Sequence, residues 1–254
     1  MRKGIPCLLL LLMIAVESLA WGPTGHRVTG WIAEKHLTKK ARNAIGKILK
    51  GQSLAMASTW MDEIRSDPSY DYMEDWHWVT IPEGQPYELT VKNRNGDIIQ
   101  SLERVIGELK NKKLTPDQQA EYLKILIHLT GDIHQPLHVG ARADQGGNEI
   151  QVRWFGKNSN LHRIWDSDMI DDTRLSYTEL AQSLEIATEE QVRAWQKSSV
   201  REWARESQSY QHHVYNYGNG RLGYDYAYVN YPIVRQRLLQ AGVRLAGILN
   251  ALYD

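Results

Sequence analysis

The sequence predicts a mainly α-helical fold, a single compact domain with one small β-hairpin. Apolar residues recur at helical spacing through most of the chain after residue 20. Residues 149–155 alternate as a strand does. The chain has 254 residues, enough to bury one sizeable core, and the sequence contains no internal repeat, low-complexity tract or domain linker.

The predicted helices follow one another closely along the chain. In the first half they cover residues 24–37, 39–50, 54–66 and 98–109. Thr115 and Pro116 form the cap-then-proline signature of a helix start, which leads into an apolar run from Tyr122 to Leu129. Residues 176–207 predict two or three short peripheral helices. A last helix is expected from Pro232, with an apolar stripe of Leu238, Ala241, Leu245, Ile248 and Leu252.

The remaining stretches are expected to be extended or irregular. Residues 75–82, rich in aromatic side chains, predict a short extended segment. The strand at 149–155 is expected to turn at residues 156–160 into a hairpin. The tyrosine- and glycine-rich residues 209–231 predict an ordered loop that flanks a cleft.

Residues 1–20 have the pattern of a secretory signal peptide. Arg2 and Lys3 precede an apolar run at residues 8–16, and Ser18 to Ala20 supply a small-residue cleavage site. The apolar run is short for a membrane span. We therefore expect a secreted or periplasmic protein with its domain at residues 21–254 and without stable membrane association. Cleavage also removes Cys7, the single cysteine, so no disulfide is expected.

The charge balance limits how an anionic substrate can be recognised. Lys and Arg together number 30, as do Asp and Glu, so no global field attracts nucleic acid or an anionic membrane. Recognition of an anion must then be local, and bound metal ions are the natural source of local positive charge.

The segment from His128 to His138 carries the strongest chemical signal. His128 and Asp132 are four residues apart and share a helix face. A buried imidazole and carboxylate are costly unless a partner satisfies both, and a metal ion would do so. Pro136 ends the helix, which lets His138 reach a neighbouring position. The alternative is an ordinary core helix with two polar residues.

Other segments offer similar ligands. His162 and Asp166 repeat the four-residue spacing. A mature terminus at Trp21 could chelate a metal through its amine and carbonyl beside His26, although a frayed terminus is the alternative. The candidate donors are oxygen and nitrogen, which suits zinc at several sites and leaves manganese or iron open. They are Trp21, His26, Asp62, His77, His128, Asp132, His138, His162 and Asp166.

These segments together resemble the secreted S1/P1 nucleases, which are distantly related to bacterial zinc phospholipase C. The resemblance spans essentially the whole mature chain. It rests on residues 21–26, 60–65, 76–77, 128–138 and 160–166. It implies one mainly α-helical domain with three zinc ions in a cleft.

The resemblance also implies an assignment of ligands. Asp62, His77, His128 and Asp132 would hold one zinc. The amine and carbonyl of Trp21, His26 and the shared Asp132 would hold the second, and His138, His162 and Asp166 the third. A hydroxide bridging paired zinc ions would attack phosphorus while Arg65 neutralises phosphoryl charge. The implied substrates are single-stranded DNA and RNA, cut to 5′-phosphorylated products, and 3′-mononucleotides.

Base recognition by the family maps onto three positions. Trp78 is the candidate stacking platform, with core packing as its alternative, and Asn148 is the candidate base hydrogen-bonding residue. Thr80 stands where fungal members carry a base-binding carboxylate, so we expect a broadened or lost base preference.

The remaining histidines have no expected role in chemistry. His134 lies in the motif but faces away from the His128–Asp132 side, so a structural or supporting role is expected. His36, His212 and His213 are expected to be ordinary surface or loop residues.

Two other functions remain open from the sequence. A zinc phospholipase C would use similar ligands on a lipid phosphodiester and needs an apolar surface for acyl chains. A non-catalytic metal-binding protein is the second, although Arg65 beside a ligand argues mildly against storage. No protein partner is implied.

Overall fold

Helices dominate the computed structural model, which describes residues 21–111, 113–184 and 187–254. The predicted signal peptide at residues 1–20 lies outside the described residues. Strands are few and short in the described part, so the predicted mainly α-helical fold with a small β-hairpin is confirmed.

The helices range from single turns to one of 30 residues at the end of the chain. In chain order, the α-helices of the described residues are α1 Pro23–Lys35, α2 Lys39–Ile48, α3 Leu54–Ala57, α4 Trp60–Glu63, α5 Ile98–Asn111, α6 Pro116–Asp132, α7 Leu161–Arg163, α8 Met169–Asp171, α9 Tyr177–Leu184, α10 Glu189–Lys197, α11 Val200–Ser209, α12 Gln211–Val214 and α13 Tyr224–Tyr253. Four 3₁₀ helices cover Ile64–Ser66, Pro68–His77, Tyr87–Leu89 and Pro136–His138. A π-helix covers Ile164–Asp168.

The strands of the described residues form two small sheets. The strands are β1 Val79–Thr80, β2 Val139–Gly140, β3 Gln151–Trp154, β4 Lys157–Asn160 and β5 Arg221–Leu222. β1 pairs in parallel with β2, and the second sheet has the order β4-β3-β5, in which β3 and β4 are antiparallel. Because β1 and β2 closely follow His77 and His138 in the chain, their pairing brings these two histidines together.

Helix α6 is the central element of the fold. Its N-terminus is at Thr115 and Pro116, as the sequence predicts. The Thr115 side chain accepts a hydrogen bond from the Gln118 backbone and the Gln118 side chain accepts one in return, which completes a capping box. The residues of its second half, from Ile125 to Asp132, are all buried. The helix therefore carries its last polar side chains into the interior.

Within the part of the chain that the structure describes, two hydrophobic clusters form the core, and α1 and α13 contribute to both. One cluster contains the apolar side of α6, together with Ala33 and Leu245. The other contains Leu161 beside the π-helix, together with Val28 and Leu238. The segments that carry the candidate ligands thus belong to both halves of the core.

The predicted hairpin is present, but its turn is not at residues 156–160. Trp154 pairs with Lys157, so the turn consists of Phe155 and Gly156 alone, and residues 157–160 are strand β4. Both turn residues have positive φ, +46° and +82°, as a two-residue hairpin turn requires. The sequence did not predict β4 because its residues are all polar and show no apolar alternation.

Two other predictions were wrong in part. Residues 209–231 are not a loop throughout, because they contain α12, β5 and the start of α13 at Tyr224. Pro232 lies inside α13 on a partly exposed side, where the carbonyl that loses its N–H partner can face water. Residues 75–82 become extended only from Trp78 into β1, since the Pro68–His77 3₁₀ helix continues to the ligand His77.

Among the described residues, no helix combines the length and apolar character that crossing a bilayer demands.

The crossing of α1 and α13 depends on a glycine. A Cβ at Gly242 would lie 2.6 Å from the Ile32 Cβ and 3.0 Å from the Thr29 carbonyl oxygen. We expect Gly242→Ala to lower the free energy of unfolding by about 1–3 kcal/mol because the helices must separate. Gly107→Ala in α5, where a Cβ meets open space, should instead raise it by up to about 1 kcal/mol. Urea unfolding measures both, and equal stability of the two variants would contradict the packing described.

Candidate metal centre

Eight predicted ligand side chains converge from seven segments of the chain. α6 supplies two of them, α1, α4 and α7 one each, and the rest come from the two 3₁₀ helices that end at His77 and His138 and from the π-helix. The eight are His26, Asp62, His77, His128, Asp132, His138, His162 and Asp166. Seven are buried and Asp62 is partly exposed.

The Asp132 carboxylate is the centre of the larger group. Its Oδ2 lies 2.9 Å from His77 Nδ1 and 3.2 Å from His128 Nε2, and its Oδ1 lies 3.2 Å from His26 Nε2. Asp62 Oδ1 lies 3.8 Å from His128 Nε2. The predicted common face of His128 and Asp132 is therefore present, and one fully buried carboxylate contacts three imidazoles.

His138, His162 and Asp166 form the smaller group. His162 Nε2 lies 2.8 Å from Asp166 Oδ2, and His138 Nε2 lies 3.8 Å from Asp166 Oδ1. The four-residue spacing is realised across α7 and the π-helix rather than on one regular α-helix. Isolated π-turns of this kind are frequent at functional sites.

The geometry yields three sets of ligand atoms, each within 4.8 Å of one another. The third set is the predicted trio of His138, His162 and Asp166. The other two overlap at His128: one joins it to His26 and Asp62, the other to His77 and Asp132. The residues of the first two predicted zinc sites thus form one continuous cluster. Which of these residues binds which of the two zinc ions remains a prediction.

Backbone carbonyls fix the protonated nitrogen of three ligand histidines. A carbonyl oxygen can only accept, so the facing Nδ1 carries a proton and Nε2 is the nitrogen left to bind a metal ion. The three Nδ1 atoms donate over 2.6–2.8 Å: His128 to Ser58, His138 to His77 and His162 to Gly146. Their Nε2 atoms face the two clusters, the orientation that metal binding requires.

Several buried polar atoms form no hydrogen bond with one another and could instead bind a metal ion. Among the described residues, neither ring nitrogen of His26, neither oxygen of Asp62, nor Asp132 Oδ1 or His138 Nε2 has a hydrogen-bond partner. His26 Nε2 and Asp132 Oδ1 are 3.2 Å apart without forming a hydrogen bond. Burying such atoms unpaired is costly, and a cation satisfies them together. The residues present therefore fit a bound metal.

Protonation competes with metal in the larger group. Burial lowers the pKa of His26 and His77. Burial also disfavours the charged form of His128, but the carboxylates of Asp132 and Asp62 outweigh it and raise its pKa to about 9. Although burial opposes ionisation of Asp132, the charge of His128 holds its pKa well below the usual range. Without metal, a proton at His128 takes the place of the cation.

Asp166 is held by a residue to which the sequence assigned no role. Gln135 Nε2 donates to Asp166 Oδ1 over 2.6 Å, and Gln135 Oε1 accepts from the Leu137 backbone over 2.5 Å. Burial raises the pKa of Asp166 to about 6, and His162 partly offsets this effect. The position of Gln135 between Asp132 and His138 was the only sequence signal for it. Its partner Asp166 lies in a different segment, so the contact could not be predicted.

Trp21 lies beside the larger group. Its buried indole donates to the Gly131 carbonyl oxygen over 2.8 Å, and the next residue, Gly22, donates its N–H to the Asp166 carbonyl oxygen over 2.8 Å. A Cβ at Gly131 would lie 2.9 Å from His26 Nδ1, so this glycine allows α1 to approach α6 closely. The first described residue is thus firmly packed.

An open cleft of about 710 Å³ adjoins the two ligand groups. His77, His138 and His162 lie on its wall, and so do all four predicted substrate-contacting residues, Arg65, Trp78, Thr80 and Asn148. The Trp78 side chain is 44% exposed, which excludes the alternative of core packing. Arg65 Nε lies 3.8 Å from Asp62 Oδ1, so the guanidinium is close to the larger group.

The sequence missed an acidic wall of this cleft. Asp71, Glu74 and Asp75 line it from the 3₁₀ helix that ends at His77. The end of this stretch was predicted only as an aromatic extended segment, so the helical turns that align the three carboxylates were not expected.

The other histidines lie where the sequence predicts them. His134 donates through Nδ1 to the Thr130 carbonyl and accepts from Arg244 through Nε2, on the side away from the clusters. His212 is exposed, and His36 and His213 are partly exposed, apart from both ligand groups.

Known proteins similar to this chain are endonucleases and nucleases. The chain is 29% identical over 287 residues to Endonuclease 4 of Arabidopsis thaliana, covering 100% of this chain and 96% of the relative. It is 30% identical over 289 residues to Endonuclease 5 of the same plant, with 100% and 97% covered. Nuclease S1 of Aspergillus oryzae is 27% identical over 189 residues, with 70% and 64% covered.

The family model described as S1/P1 nuclease matches residues 21–254, which is every residue after the predicted signal peptide. The chain therefore belongs to the S1/P1 nuclease family.

Proposed function

We propose that this protein is an endonuclease that hydrolyses phosphodiester bonds of single-stranded DNA and RNA. Its products would carry 5′-phosphates, and it would also remove phosphate from 3′-mononucleotides. The observation that carries this proposal is the convergence of eight ligand side chains beside an open cleft. Membership of the S1/P1 nuclease family supports the reaction class.

Three zinc ions are the proposed cofactors. The donor set contains only oxygen and nitrogen, and three of its histidines are held through Nδ1 by backbone carbonyls with Nε2 facing the clusters. Both features are typical of zinc sites. His138, His162 and Asp166 would hold one ion. Asp62, His77, His128 and Asp132 would hold another, and Asp132 would be shared with a third held by His26 and the terminal amine and carbonyl of Trp21. When bound, such ions activate water for attack on phosphorus and stabilise the leaving oxygen.

Arg65 is the proposed phosphate-binding group of the chain itself. It lines the cleft next to Asp62, and its side chain is 29% exposed and so accessible to substrate. A guanidinium can donate two parallel hydrogen bonds to phosphoryl oxygens, where charge builds during the reaction. Because the wall beside it carries Asp71, Glu74 and Asp75, phosphate is repelled there and directed towards Arg65 and the ligand groups.

Trp78 and Asn148 are the proposed base-binding residues. The exposed indole of Trp78 provides a face on which an unstacked base can lie, which favours single strands. Asn148 lies in the same cleft and can donate to and accept from a base edge. Thr80 is exposed in this cleft and offers only a hydroxyl, so we propose a broad base preference.

Export and cleavage before Trp21 complete the proposal. The buried indole of Trp21 and the bond from Gly22 to Asp166 support a mature chain that starts against both ligand groups. A free amine at this point can serve as a ligand, since it titrates near pH 8. Secretion or export to the periplasm is therefore part of the proposed function.

A substrate panel tests the proposed activity. The zinc-loaded protein starting at Trp21 should release acid-soluble nucleotides from denatured DNA and from RNA, and phosphate from 3′-AMP. Chelation should abolish both activities and added zinc should restore them. Hydrolysis of phosphatidylcholine without action on nucleic acid would instead favour a phospholipase. Tight zinc binding with neither activity would favour a metal-binding protein.

Asp132→Asn should remove the shared ligand. We expect the rate on denatured DNA to fall by at least about 100-fold, because more than one ion loses a charged donor. Zinc content per molecule should fall with it. Asp171→Asn is the matched control, because Asp171 accepts a surface bond from Thr24 Oγ1, at 3.0 Å, away from the ligand groups. Retention of wild-type rate and zinc content by Asp132→Asn would contradict the shared-ligand role.

An added methionine before Trp21 should disturb one metal site. It converts the amine into an amide, which is a poor ligand at neutral pH, so we expect about one fewer tightly held zinc per molecule. Elemental analysis of the extended protein measures this, with a methionine added after Asp254 as the control. Full zinc content in the extended protein would contradict the role of the terminus.

A further inference from the structure

The backbone between Asp132 and His138 is held from outside the cleft by side chains of the last quarter of the chain. We call residues 133–139 the ligand turn, because it joins a ligand of the larger group to one of the smaller group. Only the short 3₁₀ helix Pro136–His138 and the first residue of β2 give it regular structure. Its buried carbonyl oxygens therefore need partners from elsewhere in the molecule.

Ser207 and Arg237 hold the first half of the ligand turn. Ser207 Oγ donates to the Ile133 carbonyl over 2.5 Å, and Arg237 Nε donates to the His134 carbonyl over 3.1 Å. Arg237 Nη2 also donates to Ser207 Oγ over 2.7 Å, which links the two. Both residues are fully buried.

All three nitrogens of the Arg237 guanidinium are engaged. Besides Ser207 and the His134 carbonyl, the guanidinium donates to Glu206 Oε2, to Gln240 Oε1 and to the Trp203 carbonyl. A five-donor guanidinium held by five acceptors has a fixed position and direction. Burying such a charge brings a large desolvation cost, so packing alone does not explain an arginine at this place.

Gln211 holds the second half of the ligand turn. Its Nε2 donates to the Pro136 carbonyl over 2.7 Å and to the Val139 carbonyl over 3.0 Å. These two residues flank the His138 end of the turn. One amide therefore spans the backbone that directs the His138 imidazole towards Asp166.

We propose that Ser207, Gln211 and Arg237 are positioning residues for the metal centre. Together they form a carbonyl clamp that fixes His138 relative to Asp132 and so sets the affinity for metal. The clamp acts through backbone atoms of the ligand turn rather than through the ligand side chains. The inference rests on the proposed metal-dependent function, because it assigns the clamp a role in metal binding.

Gln211→Met and Arg237→Met test the clamp, each with a matched control. Gln196→Met removes an amide that donates to the Val243 carbonyl at 3.3 Å, and Arg235→Met removes an arginine of the same helix that donates to the Ser183 carbonyl at 2.8 Å. In Arg237→Met, Glu206 keeps its two bonds from Arg244, so the carboxylate stays paired. Gln211 is only partly buried, so its variant is the safer one for folding.

The measurements are zinc affinity by chelator competition and the melting temperatures of zinc-loaded and metal-free protein. We expect both clamp variants to bind zinc about 10–100-fold more weakly, as is usual when an outer partner of a metal ligand is lost. The gap between loaded and metal-free melting temperatures should narrow. The controls should shift both temperatures together and keep zinc affinity within about twofold of wild type.

Two results would distinguish failure of the clamp inference from failure of the proposed function. If the clamp variants lose stability equally with and without zinc and bind zinc as wild type does, the clamp is merely structural and the inference is wrong. If wild-type protein holds no zinc, the proposed function fails and the clamp loses its basis with it. Neither measurement depends on nuclease activity.

Discussion

The structure depends on one buried carboxylate that faces three imidazoles. Asp132 has no solvent exposure, yet it lies within 3.2 Å of ring nitrogens of His26, His77 and His128. Such an arrangement is stable only if charge is balanced inside it, by a proton at His128 or by a cation. Two features of the fold bring these imidazoles to Asp132. Helix α1 packs closely against α6 at Gly131, and strand β1, which follows His77, pairs with β2. The fold and the proposed chemistry therefore both require that the buried charge of Asp132 be balanced.

Elements with local signals could be predicted from the sequence. α6 was predicted because its cap, its proline and its apolar run lie within a few residues of one another. β4 and the start of α13 were not, because their identity depends on partners remote in sequence. β4 is a strand because it pairs with β3, and α13 continues through Pro232 because its buried side packs against other helices. In both places tertiary contacts override the local pattern.

In the candidate site, too, only the residues with local sequence signals could be predicted. His128 and Asp132, and likewise His162 and Asp166, are recognisable from spacing, and family resemblance added Asp62 and His77. Gln135 and the carbonyl clamp could not be found this way. Gln135 contacts a carboxylate 31 residues away, and Arg237 contacts a carbonyl 103 residues away. Partners of this kind act through backbone or through another side chain, so they leave no motif of their own.

The most direct test of the central claim is anomalous X-ray diffraction at the zinc absorption edge from crystals of the protein starting at Trp21. We expect three zinc peaks, two sharing Asp132 and one among His138, His162 and Asp166, each about 2.0–2.2 Å from its ligand atoms. Crystals grown with zinc that show no anomalous peak at Asp132, with hydrogen bonds alone joining the imidazoles and carboxylates, would contradict this claim.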